Sequence, residues 1–383
     1  MLKLDYFASR ALPSRRANGV HVAKMASAFI TQDIQYRLFC TQVDKIEIDD
    51  TVTNYYGLKN NIDNLINYIK PNNFDVLLKF LNSKLSGTDI IFTRSPKFAY
   101  IALKFNFKVI YEIHAPLVND PKAHKWMQAM VKDKNLIGVV VITDKLKDKI
   151  ISDYSLLDTS IIHTFADGSD AIKLEPKQLM PVDKLIRDYD FSCNVGYTGT
   201  AGAGRGLDLI YNLAVSLPDV GFHLVGMTEL DFYKVVDIND AKPKNLIFHG
   251  FQDSSKIPYF IASFDLLLAP YQSKVLITQD LNGKSGTDTG QWMSPIKVFE
   301  YMASGVPFIA SDLPVLREVL NNSNCTLVDP ECVDSWVKEI NAFITSSDSY
   351  IAKSKLAKIE LEEAYTWEAR AKKIKNTFFL PYI

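Results

Sequence analysis

The sequence predicts an α/β protein of two domains, each a doubly wound parallel sheet covered by helices on both faces. Short apolar runs alternate with longer amphipathic stretches along most of the chain, which is the pattern of parallel strands joined by helical crossovers. The length of 383 residues is too great for one ordinary core and sufficient for two. Two such sheets in tandem are expected to face each other and to bind a ligand at the carboxyl ends of their strands.

Apolar runs bounded by polar turns give the predicted strands. In the first half they are Leu2–Phe7, Asp89–Thr93, Lys108–Ile113 and Gly138–Ile142. In the second half they are Asn194–Tyr197, Gly221–Val225, Asn245–Phe248, Leu266–Ala269 and Pro307–Ala310. A polar stretch that contains proline and charged residues, 175–189, separates the two halves and is the predicted linker.

Composition and charge argue against a disordered chain and against a protein that is drawn to nucleic acid by its net charge. Hydrophobic residues make up 47% of the chain and charged residues 23%, as in ordinary globular proteins, and the net charge of −1 gives no bulk attraction to nucleic acid. The first 185 residues are mildly basic, with 25 lysines and arginines against 20 acidic residues. This excess would suit an anionic acceptor or a membrane face, or it is simply a solvated surface.

Cysteine spacing and the distribution of apolar residues indicate the cellular compartment of the protein. The four cysteines lie far apart and form no CxxC pair, which indicates free thiols in a reducing compartment and neither a disulfide framework nor a zinc site. No apolar run approaches the roughly 18 residues of a membrane-spanning helix, and a charge appears as early as Lys3. We therefore expect a cytoplasmic protein.

A glycine-rich loop follows the predicted strand that ends at Tyr197. Glycines stand at positions 199, 202, 204 and 206, and apolar residues at helical spacing begin at Leu207. Glycines allow an anion to approach the backbone, the helix start offers free N–H groups, and Arg205 adds a fork of donors suited to phosphate. The alternative is a flexible turn. Leu207 replaces a glycine of the dinucleotide fingerprint, and the Gly-Lys-Ser/Thr of a P-loop is absent.

A second candidate segment runs from Trp292 to Asp312. Ser294 is the predicted N-cap, Pro295 occupies the first helical position, and Gly305 ends the helix. Lys297 and Glu300 are three residues apart and can therefore reach one ligand, the cation meeting phosphate and the carboxylate accepting from sugar or ribose hydroxyls. An amphipathic helix with an internal ion pair would show the same pattern.

Two further positions carry weaker signals. Asn18-Gly19-Val20-His21 lies between a predicted strand and the helical stretch Ala23–Phe29, so that Gly19 can offer its N–H to a phosphate. His114 stands at the end of the strand Lys108–Ile113, at the edge where the ligand crevice is expected. A lone loop glycine and a lone histidine are also common as purely structural residues.

Taken in order, these segments resemble the retaining glycosyltransferases of the GT-B fold, specifically the group called family four. The matching stretches are Asn18–Phe29, Thr93–Ser95, Tyr111–His114, Val141–Thr143, Gly196–Gly199, Gly204–Gly206, His249–Phe251 and Ser294–Pro307. The resemblance implies an acceptor-side Rossmann-like domain at 1–185 and a nucleotide-sugar-binding one at 186–364, facing each other across a cleft. Residues 365–383 would form a C-terminal helix that crosses back to the first domain.

The resemblance also implies a role for each matching residue. The donor diphosphate would be held at Gly19, Gly199, Thr200, Arg205 and Lys297 and by the helix start at Ser294, Pro295 and Ile296. His249, Gly250 and Phe251 would line the base pocket, Glu300 would accept from the ribose hydroxyls, and His114 would lie beside the transferred sugar. The catalytic residues would be His114, Arg205, Lys297 and Glu300, acting without a protein nucleophile, a metal or another cofactor.

Two positions depart from the family pattern. Thr200 stands where the family often has an arginine, and Trp292 stands where it often has a glutamate that contacts the donor sugar. Asp288, Thr289 or Gln291 are candidates to replace that glutamate. The implied reaction moves a hexose from a UDP- or GDP-linked donor to a glycan or lipid-linked glycan in surface polysaccharide or lipopolysaccharide biosynthesis. The alternatives are a nucleotide-sugar epimerase on the same fold and a catalytically silent nucleotide-sugar-binding scaffold subunit.

A basic stretch in the first half suggests peripheral membrane contact at the inner face. Lys122, Lys125, Lys132 and Lys134 flank Trp126 and Met127, and Lys145, Lys147 and Lys149 follow. Basic residues around an exposed aromatic side chain would suit an anionic lipid surface. A solvated helix face is the alternative.

Overall fold

The computed structural model describes residues 2–14, 16–41, 51–174, 176–237, 242–278 and 286–380. The chain divides into two compact units. The first unit comprises Met1–Asp167 together with Trp367–Ile383, and the second comprises Gly168–Thr366.

The first unit is an α/β layer structure around a parallel sheet. Its described strands and helices are, in chain order, β1 (Lys3–Ala11), α1 (Ala17–Ile30), β2 (Gln35–Thr41), α2 (Val52–Tyr55), β3 (Ile66–Tyr68), α3 (Asn73–Leu85), β4 (Ile90–Thr93), α4 (Pro96–Lys104), β5 (Lys108–Ile113), α5 (Pro121–Met130), β6 (Leu136–Val141), α6 (Asp144–Asp153) and β7 (Ile162–Thr164). The strand order is β3-β2-β1-β4-β5-β6-β7, so the winding direction reverses between β1 and β4.

The second unit repeats this architecture. Its described elements are α7 (Pro176–Arg187), β8 (Cys193–Thr198), α8 (Leu207–Ser216), β9 (Val220–Val225), α9 (Glu229–Tyr233), β10 (Leu246–Phe248), α10 (Ile257–Ser263), β11 (Leu266–Ala269), β12 (Leu276–Thr278), β13 (Gly286–Asp288), α11 (Ile296–Ser304), β14 (Phe308–Ser311), β15 (Thr326–Val328), α12 (Val333–Thr345) and α13 (Asp348–Glu360). Its parallel sheet has the order β10-β9-β8-β11-β14-β15, with the reversal between β8 and β11. Strands β12 and β13 pair separately and antiparallel.

The last helix, α14 (Trp367–Ile374), belongs to the first unit, where it packs on α1. Trp367 is among the largest fully buried side chains, and Arg370 is buried beside it. The C-terminal segment therefore completes the core of the unit in which the chain begins.

The predicted fold class is confirmed, and each of the nine predicted strands coincides with an observed one. The central strands β8 and β9 are buried at every position, which explains their continuous apolar runs. The prediction omitted β2, whose Arg37 carries a charge into the sheet and pairs with Asp5 at 2.7 Å. It also omitted the short strands β3, β7 and β15, whose three residues each leave too little apolar pattern to recognise.

The predicted linker at 175–189 is mostly helical. Glu175 lies outside the described residues, whereas Pro176–Arg187 form α7, which packs against α10 of the second unit, and Arg187 pairs with Asp265 at 2.9 Å. The unit boundary accordingly falls after Asp167 and not after residue 185, because α7 packs on α10 and Ile186 is buried in the second unit. The return to the first unit falls at Trp367 and not at 365.

Candidate functional site

The glycine-rich loop joins β8 to α8 at the point where the second sheet reverses its winding. Gly204 and Gly206 have positive φ angles of 80° and 76°. A Cβ at these positions would lie 1.8 Å from the carbonyl oxygen of Lys274 and 1.9 Å from that of Pro270, so only glycine fits. The loop therefore packs tightly on the segment that follows β11, as a ligand site at a switch point requires.

The side chain of Lys297, on α11, extends to this loop. Its side chain is buried, with 9% of its surface exposed, and Nζ lies 3.6 Å from the ring centroid of Tyr197 and 4.9 Å from that of Tyr271. A Cβ placed on Gly199 would be 3.2 Å from Nζ, which locates the amine at the first glycine of the loop. Among the described residues, Nζ has no hydrogen-bond partner.

Burial sets the electrostatics of this lysine. It lowers the pKa of Lys297 well below its usual value, the nearby charge of Arg205 lowers the pKa further, and Glu300 opposes both effects. An ammonium group that is buried without a counter-ion is costly, and an anion bound beside it would remove that cost. The two aromatic faces offer partial compensation through their electron-rich rings.

Arg205 is held at the entrance of the same loop by Thr200. Its Nη1 donates to the carbonyl oxygen of Thr200 at 2.9 Å and also to the hydroxyl of Thr200. Thr200 stands where the family that the sequence resembles often has an arginine, and here Thr200 positions an arginine that comes from further along the loop. Two basic side chains, one buried and one at the surface, thus converge on Gly199 and Thr200.

The helix that carries Lys297 and Glu300 begins one residue later than predicted. Pro295, in extended conformation, is the N-cap residue and Ile296 is the first helical residue, so the prediction that Ser294 caps the helix is wrong. Gly305 ends the helix with φ 72°, as predicted. Glu300 lies half-buried one helical step beyond Lys297 and takes part in interactions of its own.

His249 faces into the second unit. Its Nε2 lies 3.0 Å from Nδ1 of His223, the two rings stack at 5.3 Å, and burial lowers the pKa of His249 to about 4. Gly250 follows with φ 66°, and the side chain of Phe251 is 37% exposed. Of this predicted base-pocket segment, Phe251 is therefore the more exposed aromatic side chain, whereas the ring of His249 packs against His223 and Phe260.

Gly19 lies within α1, which begins at Ala17, and not in a loop before the helix. Its N–H donates to the carbonyl oxygen of Arg16 at 2.9 Å. A Cβ would lie 2.7 Å from the hydroxyl oxygen of Tyr56 and 2.8 Å from Cβ of Ser14. Close packing alone thus requires glycine here, and the helix starts earlier than the apolar periodicity from Ala23 indicates.

His114 follows β5 in the first unit and belongs to a buried cluster of charged groups. Its Nε2 lies 3.1 Å from Oε1 of Glu112, a carboxylate with no exposed surface. Burial lowers the pKa of His114 to about 4, with a contribution from Arg94 and against the opposing effect of Glu112. The imidazole of His114 is therefore neutral at physiological pH.

Glu112 is the centre of this cluster. Nη2 of Arg370 donates to Oε1 of Glu112, and Nε2 of His21 lies 3.2 Å from the same oxygen. Burial raises the pKa of Glu112, but Arg370 and His21 outweigh it and hold the pKa well below its usual value. Nδ1 of His21 lies 3.0 Å from Asp167, whose pKa falls to about 2 because His21 outweighs the effect of burial.

The same cluster is the one group within the described residues whose spacing would suit a metal ion. His21, His114 and Asp167 each present a ligand atom, and these atoms lie within 4.8 Å of one another. Two imidazoles and a carboxylate form a ligand set known from zinc sites. The guanidinium of Arg370 already pairs with Glu112 at the centre of the cluster, however, and Arg94 adds a second positive charge nearby, so the charge balance disfavours a cation.

The geometry thus brings together Gly199, Thr200, Arg205 and Lys297 in the second unit, and His21, Glu112, His114 and Asp167 in the first. His21, Glu112 and Arg370 lie in stretches that match the family pattern but received no predicted role, and Asp167 lies outside those stretches. An acidic residue within the apolar strand Lys108–Ile113 is a usable signal for Glu112, because a buried carboxylate needs a partner. Asp167 and Arg370 offer no such signal.

The comparisons with known proteins concern the fold and the family of the second unit. Residues 196–346, which include the glycine-rich loop and Lys297, match the family model described as glycosyl transferases group 1. HepE of Anabaena in complex with UDP is similar in structure over 98% of this chain and 99% of its own, with 14% identity and a TM-score of 0.73. HepE in complex with UDP-glucose has a TM-score of 0.69 at 14% identity, covering 98% of each chain.

The lipopolysaccharide outer core galactosyltransferase WaaB, in its apo form, is similar over 99% of both chains, with 16% identity and a TM-score of 0.60. None of the curated protein sequences matches this chain. The protein therefore has the GT-B fold, with a parallel α/β sheet in each of its two units. Residues 196–346, within the second unit, form a domain that matches the group 1 glycosyltransferases.

Proposed function

We propose that this enzyme transfers a hexose-type sugar from a nucleotide-diphosphate donor to a glycan or lipid-linked glycan, with retention at the anomeric carbon. The observation that carries the proposal is the buried, unpaired amine of Lys297 at Gly199. A group of this kind gains most from an anion that arrives with the substrate and becomes more negative as the reaction proceeds.

The diphosphate is the part of the donor that fits these groups. Lys297 and Arg205 supply positive charge, and the start of α11 supplies N–H groups at Ile296 and Lys297 that point out of the helix. As the bond from the anomeric carbon to the phosphate oxygen breaks, charge develops on that oxygen, and both side chains stabilise it. The acceptor hydroxyl attacks from the same face and passes its proton to the leaving phosphate, so no protein nucleophile takes part.

The other residues supply binding and orientation in this proposal. Glu300 accepts hydrogen bonds from the ribose hydroxyls, Phe251 covers the base, and neutral His114 contacts the transferred sugar. UDP is the favoured nucleotide because HepE, which is similar in fold, binds UDP and UDP-glucose. A GDP-linked donor is the second choice.

The acceptor, the place of action and the absence of a metal belong to the same proposal. WaaB, with a similar fold, is a galactosyltransferase of the lipopolysaccharide outer core, which supports a role in surface polysaccharide synthesis. None of the helices in the described part of the chain is long and apolar enough to cross a membrane. We place the reaction in the cytoplasm, at the inner face of the membrane, and expect no metal to take part.

Donor turnover tests the proposal directly. The purified enzyme is incubated with UDP- and GDP-hexoses and candidate glycan acceptors, with and without EDTA, and both nucleotide release and the anomeric configuration of the product are measured. We expect one donor to be consumed at a rate that EDTA does not change. The anomeric configuration of the product should be the same as that of the donor. A rearranged sugar released without acceptor would support an epimerase instead.

A further inference from the structure

The helix α3 presents apolar side chains to solvent along its whole outer face. The five side chains are exposed by 72%, 45%, 44%, 46% and 81%, in the order Phe74, Leu77, Leu78, Leu81 and Leu85. Their spacing places them on one stripe of the helix. They are called the α3 stripe below.

The opposite face of α3 packs into the core of the first unit. Val76, Phe80 and Ser83 are buried there, and the ring of Phe80 stacks on that of Phe7 at a centroid distance of 4.2 Å. The α3 stripe is therefore additional to the face that the fold itself requires. A surface helix normally turns polar residues to water, and contiguous apolar patches on a monomer mark a surface that another body covers.

Lysines lie at both ends of the α3 stripe. Residues 70–108 contain six lysines against two aspartates, and the arginine of this range, Arg94, belongs to the buried cluster with His114. At the start of the helix, Nζ of Lys97 donates to Oδ1 of Asn73 at 2.7 Å, and at its end Nζ of Lys84 donates to the carbonyl oxygen of Asn106 at 3.3 Å. The acidic residue of the helix, Asp75, accepts from the backbone N–H of Lys70 at 2.7 Å and is thereby engaged locally.

We propose that the α3 stripe and the lysines around it dock the enzyme on the surface of an anionic phospholipid membrane. The phenyl and leucyl side chains enter the boundary between headgroups and acyl chains, and the ammonium groups remain among the phosphates. Juxtamembrane lysines and arginines add electrostatic attraction to an anionic leaflet. The inference deepens the proposed function, because a lipid-linked acceptor lies in such a surface.

Charge favours lipid over a second copy of this chain. Two copies packed stripe to stripe would bring the same basic surroundings together, and like charges across an interface repel. An anionic leaflet complements both the apolar stripe and its basic surroundings. The proposed partner of the α3 stripe is therefore an anionic lipid leaflet.

The membrane surface expected from the sequence lies elsewhere and lacks an apolar anchor. Within residues 122–149, all of which the structure describes, Met127 is fully buried and Trp126 is half-buried. The lysines of that stretch can add attraction at a distance, but insertion requires exposed apolar side chains. The α3 stripe supplies them.

Flotation with vesicles tests the inference, using the full-length enzyme without nucleotide sugar. Vesicles of phosphatidylcholine alone are compared with vesicles that contain phosphatidylglycerol as the anionic lipid. The variant Phe74→Ser/Leu81→Ser/Leu85→Ser removes apolar surface from the stripe. The matched control is Leu156→Ser/Leu230→Ser, which changes leucines that are 62% and 68% exposed outside it.

We expect wild type and control to float with the anionic vesicles in a salt-sensitive manner, and the stripe variant to lose about tenfold or more of this binding. Donor turnover with a soluble acceptor should be the same in all three proteins, and equal melting temperatures would show that the variant is folded. Equal flotation of stripe variant and wild type would overturn the inference. A wild-type protein that is dimeric without lipid, together with a stripe variant that is monomeric by molecular mass in solution, would also overturn the inference. Because vesicle binding is measured without donor, its failure is separate from failure of the transferase assay.

Discussion

Arg370, near the C-terminus, donates from Nη2 to Oε1 of Glu112, the carboxylate that lies 3.1 Å from Nε2 of His114. Both members of this ion pair are buried, with side-chain exposures of 2% and 0%. Helix α14 thus has an electrostatic role in addition to packing on the core of the first unit. It supplies the charge that keeps Glu112 ionised, and Glu112 in turn orients the imidazole that we assign to the transferred sugar.

Removal of Arg370 alone should therefore destabilise the protein strongly. Arg370→Met leaves Glu112 buried without its main counter-charge, and we expect a loss of about 3–5 kcal/mol in the free energy of unfolding. The double variant Glu112→Gln/Arg370→Met removes both charges and should recover part of that loss. Urea denaturation at neutral pH measures both. Equal stability of Arg370→Met and wild type would show that the pair does not hold the cluster together.

The histidine of the cluster should give the protein a pH-dependent stability. The pKa of His114 is about 4 in the folded protein, below the value of about 6.5 in an unfolded chain. Between these values the unfolded chain binds more protons, so stability is fully present above pH 6.5 and is lost as the pH falls towards 4.

His223 and His249 are buried in the second unit with lowered pKa values of about 3 and 4 and contribute to the same slope. The informative quantity is therefore the difference between wild type and His114→Gln. Denaturation curves at several pH values between 7 and 4.5 should show a smaller loss of stability in the variant. Parallel curves for the two proteins would mean that His114 keeps an ordinary pKa.

Thr200 should matter through Arg205. Thr200→Val removes the hydroxyl that accepts from Nη1 of Arg205, and the loss of one hydrogen bond to a charged group should lower kcat/KM for the donor by about tenfold. Thr200→Ser keeps the hydroxyl and is the matched control, expected to stay close to wild type. Steady-state kinetics with the preferred donor measure this effect. Equal kcat/KM values for Thr200→Val and wild type would show that Arg205 acts without the hydrogen bond to the Thr200 hydroxyl.

Lys297 should show a trade between stability and activity. Lys297→Met replaces a buried amine that has no hydrogen-bond partner in the described structure by an apolar side chain of similar length. We expect kcat to fall by about 100-fold or more, because a charge-stabilising group is lost. The free energy of unfolding should stay equal or rise by about 1 kcal/mol, because an unpaired polar group leaves the interior. A variant that is both less stable and active would contradict this role.

The sequence predicted well what depends on neighbours along the chain. Lys297 and Glu300 are three residues apart, so helical periodicity alone places them together, and the glycines before Leu207 mark the loop directly. The helix start was misplaced by one residue because Ser294 and Pro295 are both good candidates for the cap, and only the extended backbone at Pro295 decides.

What depends on the assembly of distant segments was not predictable from the pattern. Asp167 and Arg370 reach Glu112 and His21 only because β5, the segment after β7 and α14 meet around α1. The exposed α3 stripe was missed for a related reason. Phe74, Leu77, Leu78, Leu81 and Leu85 resemble a core-facing pattern in sequence, and only the structure shows that Val76 and Phe80 face the core instead.

Binding of the donor to the second unit is the central claim, and thermal stabilisation by nucleotides tests it most directly. Wild type, Lys297→Met and the control Lys338→Met, which alters an exposed lysine of α12, are heated with UDP, GDP and their hexose derivatives, with and without EDTA. We predict a selective, EDTA-insensitive rise in Tm for wild type and control with one nucleotide and its sugar, and none for Lys297→Met. Equal shifts in all three proteins, or no shift in wild type with any of the nucleotides, would contradict the assignment of the site.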